Sequence, residues 1–305
     1  MSWSINSGYG QLDTYDLMFG NASSRLKFGK KLFCIKSTDT DNYNRFQELF
    51  KPDSDGVPRV FSTITAALAV AQDWDTIYVG GGDWDEGAVL AVTQQGLKIL
   101  GPGNANQHTA MILGSDASHH LMTINAHNVE IAGLGFTQTK DTYDAIRVST
   151  TASYHKAHIH DCRFDGYGAG EYAIHTGTTY DSPDILVEDN RFHSWQTAAI
   201  YDNATRSVVR KNLVHNVAGK IGIHHVPTGS DRPGSFIYEN YVLGVNSTDT
   251  GISMGVVDAG AIHLSNNYCI GGGTADITQF ANGQYSGTEN YAASSAGGAL
   301  IDIDS

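Results

Sequence analysis

Three acidic residues, Asp161, Glu188 and Asp189, have the type and spacing that glycoside cleavage would need. Asp161 and Asp189 hold equivalent places in two consecutive copies of an internal repeat, and stacked copies would put their carboxylates about 4.8 Å apart. Glycoside hydrolysis uses two carboxylates about 5–9.5 Å apart, whereas a calcium ion would also accept such a pair as ligands. The simplest interpretation is a solvated charged face on which Glu188 pairs with Arg210 for little energy. We therefore assign no catalytic residue.

A second row of side chains could bind a sugar chain or another protein. Each member follows an isoleucine in successive repeats, and the row consists of Arg147, His175, Tyr201, His224 and Ser253. Such a row could hold a polysaccharide by stacking and hydrogen bonding, and it could equally face a sister subunit.

The thirteen histidines raise the question of a metal site. His193 and His215 are predicted to stack on one another, and the segment "GIHHV" is predicted to be a strand edge. Neither an HExxH motif nor a compact ligand cluster is present. We therefore predict no metal and no cofactor, with calcium at the acidic pair as the alternative.

Trp84 lies at the centre of the acidic segment "GGDWDEG". Aromatic residues dominate the energetics of protein interfaces, so Trp84 could anchor a partner on an exposed loop. It could equally pack over the entrance of the repeat domain.

The elements that must position these residues are short repeated strands. Asn190, Asn212, Asn240 and Asn267 recur in similar apolar segments, and Cys162 holds the equivalent place one repeat earlier. A second series gives the same period and consists of Ile146, Ile174, Ile200, Ile223 and Ile252. Two series that advance together with a period of about 20–30 residues predict a solenoid of stacked coils.

Register predicts which side chains of each coil face inward. Two apolar rows should stack in the core. The row three residues before the asparagine consists of Ile159, Val187, Val209, Ile237 and Leu264. The row two residues after the asparagine consists of Phe164, Phe192, Val214, Val242 and Cys269. An inward asparagine needs partners for its amide, so we interpret the four asparagines as a structural ladder at a bend between strands. The alternative is that each asparagine is an ordinary turn residue in the left-handed conformation.

The start of the repeat domain carries a distinct signature. In "FSTITAALAVAQDWDTIYVGGGDWDEG", Ser62 or Thr63 is a plausible N-cap of a short helix, and Ile64, Ala67 and Leu68 share one face of it. This segment, "GLKILGPG" and the asparagine repeats resemble the pectin-lyase-like superfamily of right-handed parallel β-helices over roughly residues 58 to 285. The preceding block, "LFKPDSDGVPRVFSTI", is similar to a lead-in of bacteriophage structural proteins.

The resemblance implies a fold more strongly than an activity, because this superfamily contains lyases, hydrolases, esterases and non-enzymatic virion proteins. Its lyases combine several acidic calcium ligands on one face with a basic residue that abstracts a proton. No segment of this sequence matches that pattern, so no lyase residue is carried over.

Composition excludes several partners. The net charge is −13 and no long basic run occurs, so a nucleic-acid partner is not expected. No apolar run approaches the about 20 residues that span a bilayer, and no signal peptide is recognised at the start of the sequence. The three cysteines are widely spaced and are predicted to be buried, reduced thiols.

These patterns predict an all-β right-handed parallel β-helix of roughly eight to nine coils with a short capping helix. Residues 1–57 are predicted to be an extended N-terminal arm that docks on a partner, although a strand or two along the first coils would also fit. Residues 58–285 form the β-helix and residues 286–305 a C-terminal tail.

The expected function is that of a bacteriophage virion structural protein, a capsid decoration or head-fibre component assembled in the host cytoplasm. The expected partners are a second and third copy in a homotrimer, and a major capsid protein or another virion protein through the arm. The alternative is a tailspike-like depolymerase or glycan-binding module that acts on bacterial surface polysaccharide.

Overall fold

The computed structural model describes residues 17–18, 25–26, 29–103, 109–114, 118–148, 156–176, 183–204, 206–215, 221–226, 234–243, 250–254, 262–270, 277–279, 285–293 and 301–302. The chain winds through three long sheets in turn, and strands of successive coils pair in parallel. Eight coils contribute a strand to each of the three sheets. The predicted right-handed parallel β-helix is therefore confirmed.

Each coil visits the sheets in the same order, and the sheets are named here by their size. The eleven-stranded sheet contains, in spatial order, Val60–Phe61, Lys31–Cys34, Thr76–Val79, Lys98–Leu100, Val129–Ala132, Ala157–His160, Pro183–Glu188, Arg206–Arg210, Phe236–Tyr238, Ile262–Ser265 and Tyr285–Thr288. The ten-stranded sheet contains Gly82–Asp85, Ala110–Gly114, Leu134–Gln138, Arg163–Asp165, Arg191–His193, Leu213–His215, Tyr241–Leu243, Tyr268–Ile270, Tyr291–Ala293 and Ile301–Asp302.

The eight-stranded sheet completes each coil. It contains Leu90–Val92, Met122–Ile124, Ile146–Val148, Tyr172–Thr176, Ala198–Asp202, Ile221–His225, Thr250–Met254 and Ile277–Gln279. A separate antiparallel pair joins Leu17–Met18 to Arg25–Leu26. Two helices are described, α1 at Thr40–Leu49 and α2 at Ile64–Val70; neither is long and apolar enough to cross a membrane.

Helix α2 lies where the sequence predicted it. Thr63 is its N-cap, and its side-chain oxygen accepts a hydrogen bond from the Ala66 N–H. Ile64, Ala67 and Leu68 are buried against the first coil. Because α2 has one apolar face, it covers apolar surface at the start of the solenoid.

Both predicted domain boundaries need correction. Lys31–Cys34, within the predicted arm, is a strand of the eleven-stranded sheet that pairs in parallel with Thr76–Val79. At the other end, Tyr291–Ala293 continues the parallel ladder beyond residue 285. Lys31–Cys34 fits the alternative of a strand along the first coils, whereas Tyr291–Ala293 lies in the predicted tail because it lacks the full repeat of its neighbours; the docking role of the remaining arm stays a prediction.

Both predicted apolar rows face the core. Ile159, Val187 and Val209 are fully buried, and Phe164 and Phe192 stack with ring centroids 4.9 Å apart. Burial on this scale is the main stabilising contribution to a parallel sheet whose strands are short. The three cysteines are buried free thiols, as predicted, and burial raises the pKa of Cys162 to about 12.

The asparagines form one inward column with every amide atom satisfied. Asn190 Nδ2 donates to Asn212 Oδ1 at 3.2 Å, and the same atom donates to the Ile159 carbonyl of the preceding coil at 2.9 Å. The Oδ1 of Asn212 also accepts from the backbone N–H of Asn190 at 3.1 Å. This pattern repeats along the column and reaches Asn290, which the sequence analysis had assigned to the tail.

The left-handed residue of each bend is the one before the asparagine. Asp161, Asp189, Lys211, Glu239 and Asn266 have φ values between 53° and 57°. The asparagine itself is therefore the inward partner of the bend, and the residue before it turns the backbone from one sheet to the next.

Replacing Asn212 by alanine should lower the free energy of unfolding by about 3 kcal/mol, because it leaves several buried donors and acceptors without partners. Lys211→Ala is the matched control, since Lys211 is the exposed neighbour in the same bend. Urea unfolding followed by circular dichroism measures both variants. Equal losses in the two variants would contradict a structural role for the ladder.

Candidate functional site

The outer face of the eight-stranded sheet carries the predicted row in register. Arg147 pairs with His175, His175 with Tyr201, Tyr201 with His224, and His224 with Ser253. The isoleucines that precede them are fully buried, so this row lies on the outer side of the sheet, where Arg147, Tyr201 and His224 are partly exposed and His175 and Ser253 are buried by their neighbours. The five side chains of the predicted row therefore form one column in the structure.

Aromatic rings cover this face. The rings of Tyr172 and Tyr201 have centroids 4.7 Å apart, and His175 meets the edge or face of both. Tyr201 also contacts His224 at 5.1 Å with an interplanar angle of 84°. Edge-to-face packing of this kind holds the rings in fixed orientations, which gives a preorganised aromatic surface.

A buried carboxylate anchors the row from the side. The Oδ2 atom of Asp144 lies 3.0 Å from His175 Nδ1, 3.3 Å from His120 Nδ1 and 3.9 Å from Arg147 Nη1. Arg147 Nη1 also lies 2.9 Å from His120 Nε2. Asp144 therefore fixes two imidazoles and a guanidinium across three coils.

Sequence reasoning missed this anchor. His120, Asp144 and Tyr172 each stand two residues before a buried residue of a consecutive strand, at equivalent positions of three coils. The register of the isoleucine series contains the signal, because it also aligns the residues two positions before each isoleucine. Their residue types differ, so no repeated letter marks them.

Burial adjusts the proton affinities on this face. It lowers the pKa of His120 and of His224, so both imidazoles are neutral at physiological pH. Burial, with the Asp144 charge adding to it, raises the pKa of Glu171, and burial raises the pKa of Tyr172 well above its usual range. His120 and His224 are thus neutral donors and acceptors on this face, and the Arg147 guanidinium lies beside His120.

Two polar atoms beneath the rings lack a partner within the described part of the chain. They are Asp144 Oδ1 and His175 Nε2, and both are buried. Buried polar groups are nearly always hydrogen-bonded, and three further buried atoms without a partner lie elsewhere among the described residues, on Trp195, Asn203 and His225.

The three acidic candidates lie elsewhere. Asp161 and Asp189 are exposed in the bend between the eleven- and ten-stranded sheets. Glu188 lies on the outer face of the eleven-stranded sheet, 2.8 Å from His158 and 2.5 Å from Arg210. Despite partial burial, the hydrogen bonds from Arg210 and His158 lower the pKa of Glu188, so it has no proton to donate at neutral pH.

Trp84 does not form an exposed anchor. Its side chain is fully buried, its indole N–H donates to the Gly80 carbonyl at 3.0 Å, and the Lys36 ammonium lies 4.7 Å from its ring. The expectation of an exposed Trp84 was wrong because a strand at Gly82–Asp85 turns the ring inward. Its role is the packing role.

The remaining histidines are placed by the coils. His193 and His215 stack with centroids 5.8 Å apart, and His193 lies 3.5 Å from Asp165. His225 points into the core, where its Nδ1 lies 2.8 Å from Asp202. Among the described residues no group of three or more histidines, cysteines or carboxylates could hold a metal ion.

The fold defines the class of this protein as a parallel β-helix. A solved structure titled as a PL6 family alginate lyase, AlyGC, superposes with a TM-score of 0.53 at 14% sequence identity. The match covers 87% of this chain and 40% of that one. No protein-family model and no curated protein matches the sequence.

Stability should fall as the pH is lowered from about 6.5, because unfolded histidines take up protons near that value whereas His120 and His224 in the folded chain do so only at lower pH. The folded state therefore binds fewer protons than the unfolded state in this window, and unfolding becomes easier there. His224→Gln should flatten the dependence of the melting temperature on pH.

The comparison of His224→Gln with the parent chain cancels the contribution of Glu171, whose raised pKa acts in the opposite direction at lower pH. Differential scanning calorimetry at about pH 5.5 and 7.5 gives the slope for each protein. Identical slopes would contradict a neutral, buried His224.

Proposed function

We propose that the outer face of the eight-stranded sheet binds a polysaccharide chain and that the protein is a tailspike-like glycan-recognition β-helix. The proposal depends on one observation, the outward column of Arg147, His175, Tyr201 and His224 held by Asp144. The fold shared with an alginate lyase is consistent with it.

The spacing of the column suits a linear sugar chain. Coils stack about 4.8 Å apart, which is close to the length of one pyranose unit in an extended chain. A chain parallel to the solenoid axis would meet an equivalent position in each coil. The repeat of side chains from coil to coil would thus match the repeat of sugar units along the polysaccharide.

The chemistry of the face suits hydroxyl groups. Tyr172 and Tyr201 offer ring surface and phenol groups, and neutral His224 can donate or accept a hydrogen bond. Arg147 adds a fork of donors whose side chain is 32% exposed. Specificity in such sites comes from a few fixed polar groups among apolar contacts.

Cleavage of the bound chain is a narrower proposal. Glu171 is the candidate proton donor, because burial and the Asp144 charge raise its pKa and keep it protonated to higher pH than an ordinary glutamate. Asp144 is fully buried and serves to position its neighbours. No nucleophile or base is assigned, so binding is the function proposed.

The setting proposed for this activity is a bacteriophage virion. The lead-in "LFKPDSDGVPRVFSTI" supports it, and a homotrimer would place three binding faces about one axis. An exposed stripe on the ten-stranded sheet favours self-association: Tyr241 is 47% exposed and stacks on Tyr268, which stacks on Tyr291, while Leu243 and Ile270 continue the stripe. In a capsid-decoration role, the same stripe would serve self-association, and the outer face of the eight-stranded sheet would bind no polysaccharide.

Tyr201→Ala should weaken polysaccharide binding about tenfold, which corresponds to about 1.4 kcal/mol, because the ring at the centre of the face is lost. Binding is measured by biolayer interferometry on immobilised bacterial capsular and O-antigen polysaccharides. Reducing ends and the ultraviolet absorbance of unsaturated uronates report any cleavage in the same samples.

Tyr43→Ala is the matched control, since Tyr43 lies on α1, away from the eight-stranded sheet. It should bind as the parent chain does. If Tyr201→Ala and Tyr43→Ala bind equally well, or if the parent chain binds no polysaccharide and is instead recovered on capsids, the glycan function is wrong and the decoration role takes its place.

A further inference from the structure

A groove runs along the outside of the eleven-stranded sheet, on a different sheet from the proposed polysaccharide face. It has a volume of about 310 Å³, and Trp74, Lys98, Glu130, Lys156, His158 and Asp184 are among the residues that line it. The positions at its edge advance by one coil each from Trp74 through Gly96 to Asp184. Four coil steps give it a length of about 19 Å parallel to the solenoid axis.

Trp74 stands at one end of this groove in an unusual backbone conformation. Its φ is 69°, in the left-handed region, where Gly96 (68°), Asn128 (57°) and Asp184 (66°) occupy equivalent positions in other coils. Glycine, asparagine and aspartate tolerate that region, whereas a bulky residue rarely adopts it. A tryptophan at this position is therefore strained.

Glycines on both sides hold the tryptophan in place. A Cβ atom at Gly96 would lie 2.2 Å from the Trp74 ring, and one at Gly29 would lie 1.8 Å from the Trp74 carbonyl oxygen. The Trp74 N–H donates to the Gln95 carbonyl at 2.7 Å. The indole thus lies flat over the next coil, yet 46% of the residue is exposed. An exposed ring that is fixed by its close contacts with Gly96 can stack on a ligand in the groove.

The charged side chains of the groove are paired with one another. Lys98 lies 2.6 Å from Glu130, and Lys156 lies 3.6 Å from Asp184. His158 lies 2.8 Å from Glu188 outside the groove. Asp184 also lies 3.2 Å from Arg206. The lining itself has two carboxylates and two ammonium groups, and the chain as a whole is acidic. An anionic ligand would not be favoured here.

We infer that this groove is a second saccharide-binding site, which takes a linear, uncharged oligosaccharide of about four sugar units, one for each coil step, with Trp74 as the stacking platform at one end. The paired carboxylates and ammonium groups bind vicinal hydroxyls, and the indole covers the apolar face of the terminal ring. The inference does not depend on the polysaccharide face of the eight-stranded sheet.

Tryptophan fluorescence tests the inference directly. Trp84 and Trp195 are fully buried, so in a Trp3→Phe background the indole accessible to the quencher acrylamide is that of Trp74 within the described residues. The probes are uncharged tetrasaccharides of glucose, galactose, mannose and N-acetylglucosamine, with tetragalacturonate as the anionic comparison. At least one uncharged probe should protect Trp74 from quenching, and tetragalacturonate should not.

Calorimetric titration with the same probes extends the test to variants that lack the indole. Trp74→Ala should lose binding at least tenfold, Trp74→Phe should lose less, and Gly96→Ala should weaken binding although Trp74 is still present. Trp74→Gly should melt at a higher temperature than Trp74→Ala, because glycine relieves the left-handed strain, yet bind as poorly.

The outcomes separate the two sites. Binding of the uncharged probes that survives in Trp74→Ala but is lost in Tyr201→Ala would overturn the groove and leave the polysaccharide face standing. Failure of all four uncharged probes to bind the parent chain, or a preference for tetragalacturonate, would also overturn the inference. If Trp74→Ala loses binding of the uncharged probes and Tyr201→Ala binds them fully, the inferred groove site is supported. That result holds whether or not the outer face of the eight-stranded sheet binds a polysaccharide.

Discussion

From Asn190 onward, the register of the stacked coils depends on the need to satisfy buried asparagine amides. Asn212, Asn240 and Asn267 each donate from Nδ2 to a backbone carbonyl and to the next asparagine, and each accepts twice at Oδ1 from the previous one. A shift of one residue in any coil would remove those partners and also turn the apolar rows outward. The ladder and the core therefore fix the same register. That shared constraint allows coils whose turns differ in length to stack as one solenoid.

Fixed register converts sequence spacing into columns on the outer surface. The column from Arg147 to Ser253 exists because the isoleucine before each member must be buried. Asp144 and His120 then join it from residues just before the strands. The proposed binding face consists in this way of side chains that are far apart in the chain.

The two proposed sites use different means to position their groups. On the eight-stranded sheet, edge-to-face rings and one buried carboxylate orient the side chains. In the groove, backbone strain and close approach to glycine orient Trp74. Both means restrict motion before a ligand arrives, which reduces the entropy lost on binding.

The sequence by itself determined the β-helix, the inward rows, α2 and the members of the outer column, because burial with a constant period leaves a repeated pattern of residue types. Only the tertiary structure decided that Trp84 is buried, that Lys31–Cys34 and Tyr291–Ala293 join the sheets, and that Asp144 anchors the site. These features depend on contacts between residues of different type in different coils. Such contacts leave no repeated residue type in the sequence. The strain at Trp74 is of the same kind, since a backbone dihedral angle is set by the packing around it.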